Sequence, residues 1–188
     1  MPDNDTATRL LDTAQALIQS RGYNAFSYSD LAKSVGIRTA SIHYHFPAKA
    51  DLGVALVERY TASLVQSLEA IDGSARTAKS KLRRFIELYR ETECSGAMCL
   101  CGSLASDIGT LAEPLQDSVR GYLDTSRRWL QQTIQAGIRA GEFETTGKPA
   151  DLAAALLAGL QGGLMLARAQ GDGASLESVQ RLFFQQLQ

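Results

Sequence analysis

Three cysteines and two histidines have the widest chemical reach in this chain, and their spacing narrows what they can do. Cys94, Cys99 and Cys101 fall within eight positions as Cys-x4-Cys-x-Cys. A structural zinc site needs four ligands, and no clear fourth follows at ligand spacing. A catalytic thiol needs a base, and both histidines stand far upstream. An odd, clustered set also argues against a disulfide framework and for free thiols in a reducing cytoplasm. Packing as small hydrophobes is the leading reading of Cys94, Cys99 and Cys101, with a reactive sensing thiol as the alternative. His43-x-His45 sets two imidazoles two positions apart. On a helix such residues do not face each other, so no metal site is expected.

The residues around those histidines suit a different task. Between Leu31 and Ala50 stand Lys33, Arg38 and Lys49 and no acid, although the whole chain carries 19 basic against 20 acidic residues. With a net charge of −1 there is no global basic field, so any nucleic-acid surface must be local. Thr39, Ala40 and Ser41 are small enough to let a helix end approach base edges. Arg38, His43, Tyr44, His45 and Lys49 add groups that hydrogen-bond phosphates or bases.

The elements that must position these groups read at helical period. Of 188 residues, 45% are hydrophobic and only 4 are proline, which excludes a disordered chain and lets long helices run. Leu10, Leu11, Ala14, Leu17 and Ile18 stripe a helix over Thr8–Arg21, stopped by Gly22. Ser27, with Asp30 three positions on, reads as a capping box opening a second helix that Gly36 ends. A third spans Thr39–His45 before Pro47. Longer helices follow at Ala50–Ile71, Ala75–Glu93, Glu113–Ala140, Pro149–Gln170 and Ser175–Leu187. A connector, Cys94 to Gly109, carries a short helix. The apolar run Leu152–Ala167 is too short to span a bilayer and is interrupted by Gln161, so it reads as a buried helix. The start carries acids where a signal peptide needs bases. The chain is expected to be all-α: a three-helix N-terminal head, residues 1–48, on a six-helix body, residues 49–188.

Two short helices joined by the Val35-Gly36-Ile37-Arg38 turn, with a stabilising helix before them, form a helix-turn-helix pattern. The stretch Gly22–Leu52 resembles the DNA-binding head of the TetR family of transcriptional regulators. Ser27, Leu31-Ala32, Gly36, Ser41-Ile42, Tyr44-His45-Phe46 and Lys49 all stand at family spacing. Arg38 replaces the usual Ser or Thr and weakens the expected cap on the recognition helix. His43 replaces the usual Tyr and changes one phosphate donor. About the first 55 residues match by motif, and the remainder by helix number and length.

The resemblance implies DNA contacts from Ser27, Arg38, Thr39, Ala40, Ser41, His43, Tyr44, His45 and Lys49, the last through phosphate. It implies a cytoplasmic homodimer joined through its last two long helices, a double-stranded, palindromic DNA operator, and a small-molecule inducer. No cofactor, membrane partner or enzymatic activity is implied. Pocket candidates are Phe85, Tyr89, Cys99, Tyr122 and Trp129. A cysteine-based electrophile or redox sensor is the alternative, and a cytosolic thiol enzyme, lacking a base or cofactor fingerprint, a remote one. Gly159, Gly162 and Gly163 permit close helix approach, and Leu176, Val179, Leu182, Phe183 and Leu187 offer a stripe to a partner. The basic run Arg76, Lys79, Lys81, Arg83, Arg84 reads as a solvated helix face rather than a second nucleic-acid surface.

Overall fold

The computed structural model describes residues 2–187, and every regular element among them is helical. In order these are α1 (Pro2–Arg21), α2 (Tyr28–Val35), α3 (Thr39–His45), α4 (Lys49–Ser74), α5 (Ala78–Cys94), α6 (Leu100–Ser106), α7 (Glu113–Arg139), α8 (Pro149–Gln170) and α9 (Ala174–Gln185). Single 3-10 turns lie at Tyr23–Ala25 and Ile108–Thr110. Three short-to-medium helices followed by six more is the expected all-α order.

Helix ends differ from the periodicity where backbone rather than packing sets them. α1 begins at Pro2, yet no described side chain before Leu10 is buried, so no apolar period could mark its start. α4 runs on through Gly73 to Ser74. Its last turn is held from the side: Arg84 donates to the Ser74 hydroxyl, and Asp72 accepts from Lys81 (2.6 Å) and Trp129 (3.0 Å).

The described chain divides into two compact units. One holds residues up to Ala62 together with Leu100–Tyr122. Its core is Leu10, Ala14 and Ile18 of α1 with Leu31, Ile42, Leu52, Leu56, Leu104 and Leu115, none more than 1% exposed. Arg9 donates to the Val35 carbonyl (2.9 Å), fastening α1 to the end of α2. A Cβ at Gly53 would stand 2.7 Å from Leu115, so only glycine lets α4 and α7 come this close.

The other unit holds Ser63–Cys99 and residues from Leu123 on. Leu82, Phe85 and Ile86 of α5, Leu130 and Ile134 of α7, Leu156, Leu160 and Leu164 of α8, and Leu176 and Phe183 of α9 are among its buried groups. α8 is long and apolar enough to cross a membrane by composition alone, but here its inner face lies on α9. Gly159 and Gly163 make that contact: added Cβ atoms would lie 3.0 Å from Val179 and 2.8 Å from Leu176. The close helix approach expected at these glycines is thus made within the chain at Gly159 and Gly163, while a Cβ at Gly162 would meet nothing within 4 Å. The partner stripe divides likewise. Leu176, Phe183 and Leu187 are buried within the chain, because a two-helix layer needs them as its own core. Leu182 remains outward, 57% exposed, with Met165 and Leu166 of α8 at 53% and 51%.

Candidate nucleic-acid interface

The interface begins with a helix start. Ser27 Oγ accepts from the Asp30 amide (3.3 Å), while Asp30 Oδ2 accepts from the Ser27 amide (2.8 Å) and hydroxyl (2.6 Å). Two amides that a helix N-terminus leaves unpaired are thereby satisfied. These Ser27 hydrogen bonds hold the Asp30 carboxyl below its ordinary range, so the box is intact at neutral pH and loosens as acid protonates it. At the other end Gly36 takes φ 77°, a left-handed conformation that costs glycine least, and its amide closes on the Ala32 carbonyl (2.9 Å). The chain turns there into α3.

α3 stands on one buried side chain, Ile42, and turns the rest outward. Arg38, Thr39, Ala40, Ser41, His43 and Tyr44 are exposed, Tyr44 to 74%, and His45 is half-buried with its ring 5.2 Å from that of Tyr44. No side chain caps its N-terminus, no acid occupies its first turn, and exposed Arg38 stands beside it. Such an end attracts phosphate.

Several groups fix this helix at its C-terminal end. The Tyr28 hydroxyl donates to the Phe46 carbonyl (2.9 Å), and burial, with the Asp51 charge, pushes its pKa up to about 12, so it remains a donor. The His43 ring lies 4.9 Å from Tyr28, with Nδ1 3.0 Å from the Pro47 carbonyl. A carbonyl only accepts, so Nδ1 carries the proton and Nε2 is left for an outside partner.

Lys49 reaches back into its own chain. Its ammonium donates to the Tyr23 and Phe26 carbonyls, both at 2.6 Å, and lies 4.4 and 4.2 Å from the Tyr23 and Phe26 ring centroids. Burial pulls its pKa below the ordinary lysine value, with Asp107 and Asp30 opposing the shift. Two of its three N–H groups are thus committed to the turn between α1 and α2. The same turn is gripped from the connector. Asp107 accepts from the Tyr23 amide (3.2 Å), Asn24 donates to Thr110 (2.8 Å), and Ser103 donates to the Ile18 carbonyl (3.2 Å).

In the second unit, Phe85 stacks on Trp129 (5.5 Å) and lies against Tyr89 (5.7 Å). Gln161 joins that group, donating to the Tyr89 hydroxyl (3.1 Å) and Cys99 sulfur (3.4 Å), while its Oε1 is buried without a partner. Gln161 was visible in the sequence only as a polar break in an apolar helix. Burial pushes the Asp72 carboxyl up, but hydrogen bonds from Lys81 and Trp129 outweigh it and hold it below its ordinary range. Tyr122 belongs to the first unit, where it stacks on Tyr60 (5.2 Å). None of the three cysteines is in a disulfide: Cys94 is exposed, Cys99 and Cys101 are buried. Among the described residues no three His, Cys, Asp or Glu side chains gather as a metal site.

Residues 10–56 match the model of the bacterial regulatory proteins of the tetR family, and residues 78–183 that of the tetracyclin repressor-like C-terminal domain. The chain is 26% identical over 171 residues to the transcriptional regulator AcuR of Cereibacter sphaeroides, covering 88% of this chain and 78% of that protein. It is 25% identical over 168 residues to the HTH-type transcriptional repressor NemR of Escherichia coli, covering 83% and 80%. A TetR-family regulator from Agrobacterium tumefaciens superposes with a TM-score of 0.95 at 31% identity, over 99% of this chain and 100% of that one. A TetR transcriptional regulator from Legionella pneumophila gives 0.87 at 34% identity, over 96% of both.

Proposed function

The chain belongs to the TetR family and is a DNA-binding transcriptional regulator, and we propose that it is a homodimeric repressor released from its operator by a small molecule. The observation that carries this reading is the outward face of α3, with its open N-terminus and its polar side chains standing on buried Ile42. That helix enters the major groove, Arg38 and Thr39 meet phosphate, and Ala40, Ser41, His43 and Tyr44 meet base edges or backbone. Ser27 holds the preceding helix in place at the same surface. Two heads read half-sites about 34 Å apart, so the operator is palindromic. The protein acts in the cytoplasm, by binding rather than by catalysis.

Tyr44→Ala tests the interface. Operator affinity is expected to fall about 10- to 100-fold, the worth of one good contact. Helicity and assembly stay unchanged, because the ring packs on little of its own chain. Titrations of DNA upstream of the gene, across a salt series, measure it. An affinity equal to that of the unmodified chain at every salt concentration overturns the assignment.

The inducer, on this reading, sits beside Phe85, Tyr89, Cys99 and Trp129, where Gln161 supplies a polar anchor. An apolar wall with one hydrogen-bonding amide suits a small, largely apolar molecule. A second reading, sensing by thiol, rests on Cys94, because Cys99 and Cys101 are closed to solvent. Changing all three cysteines to Ser separates the two. Release by metabolites is expected to survive, with any response to oxidants or electrophiles lost. Loss of every response with DNA affinity intact makes the thiols the sensor.

A further inference from the structure

Apart from Lys79, the basic residues of α5 divide into two groups. Lys81 is tied to Asp72, and Arg84 to the Ser74 hydroxyl. Arg83 and Arg90 turn instead toward α9, where a cleft of about 460 Å³ is lined by both of them with Arg181, Glu177, Gln180 and Phe184. The Arg83 guanidinium lies 5.6 Å from the Phe184 ring centroid, which steadies it without using its N–H donors. The Arg90 contact with Glu177 is 4.0 Å, the outer limit of an ion pair. Its Nε is shut from solvent and has no hydrogen-bond partner. With one weak ion pair, the Arg90 guanidinium has N–H donors to spare at the cleft.

We propose that this α5–α9 cleft binds a compact, multiply charged anion bearing phosphate or carboxylate groups. Arg90 and Arg181 are its principal donors, with Arg83 and Gln180 at the edge. The planar fork of arginine matches both groups, and three forks around one cleft favour a ligand with more than one charge. Glu177 is the lining acid, and Glu87 lies on the same side of α5, so the three arginines leave the patch positive by one. The Glu177 side chain is 67% exposed and swings into water when a competing anion arrives. Phe184 follows Leu182 by two positions, about 200° round the helix, so the aromatic wall of the cleft lies away from the outward Leu182, with Gln185 at the margin between them. The cleft also uses none of the residues grouped around Phe85 and Trp129.

Isothermal titration of the full chain with inorganic pyrophosphate, and separately with citrate, at constant ionic strength tests the site. One saturable event per chain is expected for at least one of them, weakened at least 10-fold in Arg90→Gln and in Arg181→Gln. The anion should also raise the melting temperature of the unmodified chain and not that of Arg90→Gln. If Arg90→Gln does not fold by circular dichroism, Arg181→Gln decides. Preference for pyrophosphate assigns a phosphate ligand and preference for citrate a carboxylate; either supports the site. Absence of saturable binding to both, or binding that folded variants leave unchanged, overturns it.

Discussion

Lys49→Met is expected to destabilise the chain by about 2–3 kcal/mol and to weaken operator binding while leaving its salt dependence intact. The substitution keeps the side-chain stem but removes a cation that donates to two carbonyls and sits against two aromatic rings. Hydrogen bonds to charged groups are worth about 1.5–3 kcal/mol each, and partial exposure of this one reduces the sum. The Tyr23 and Phe26 carbonyls then lose their partner, and the turn that seats α2 on α1 loosens. Urea denaturation measures the first effect and DNA titration the second. A lysine acting through phosphate gives the opposite pattern: stability unchanged and a salt slope lower by about one. That result would return Lys49 to direct DNA contact.

The second large effect is assembly. Leu166→Glu combined with Leu182→Glu is expected to yield a folded monomer, with operator affinity reduced at least 100-fold. Both side chains are more than half exposed within the chain, so neither charge disturbs its own core. In a dimer both would be buried against apolar groups without partners. A monomer engages one half-site at a time and loses the gain from joining two heads, about 10²–10⁴. Sedimentation velocity reads the mass and circular dichroism the helicity. If the double variant sediments as a dimer, the interface lies elsewhere.

Much of the head was legible because its signals are local. The Ser27–Asp30 box, the left-handed Gly36 and the outward Thr39, Ala40, Ser41, His43 and Tyr44 around buried Ile42 each lie within one helical turn of what they determine. Lys49 was legible as a cation, but its acceptors within the chain were not, since they are backbone carbonyls 23 and 26 residues upstream and a carbonyl has no sequence signature. Gly159 and Gly163 announced a close approach without saying to what. Spacing cannot distinguish α9 of the same chain from a helix of another copy. Gln161, Asp72 and Arg90 became informative only through neighbours on other helices.

The peptide at Tyr23 is held on both sides, its carbonyl by Lys49 and its amide by Asp107. One of those groups follows α3 in the chain, and the other comes 84 positions after the peptide it grips. The order of synthesis therefore matters. When α3 leaves the ribosome, the turn at Tyr23 has neither anchor, and α1 lacks α6, the helix it packs against. The DNA-reading end is made early and finished late. A nascent or truncated chain that stops short of α7 carries the recognition sequence without the means to hold it still.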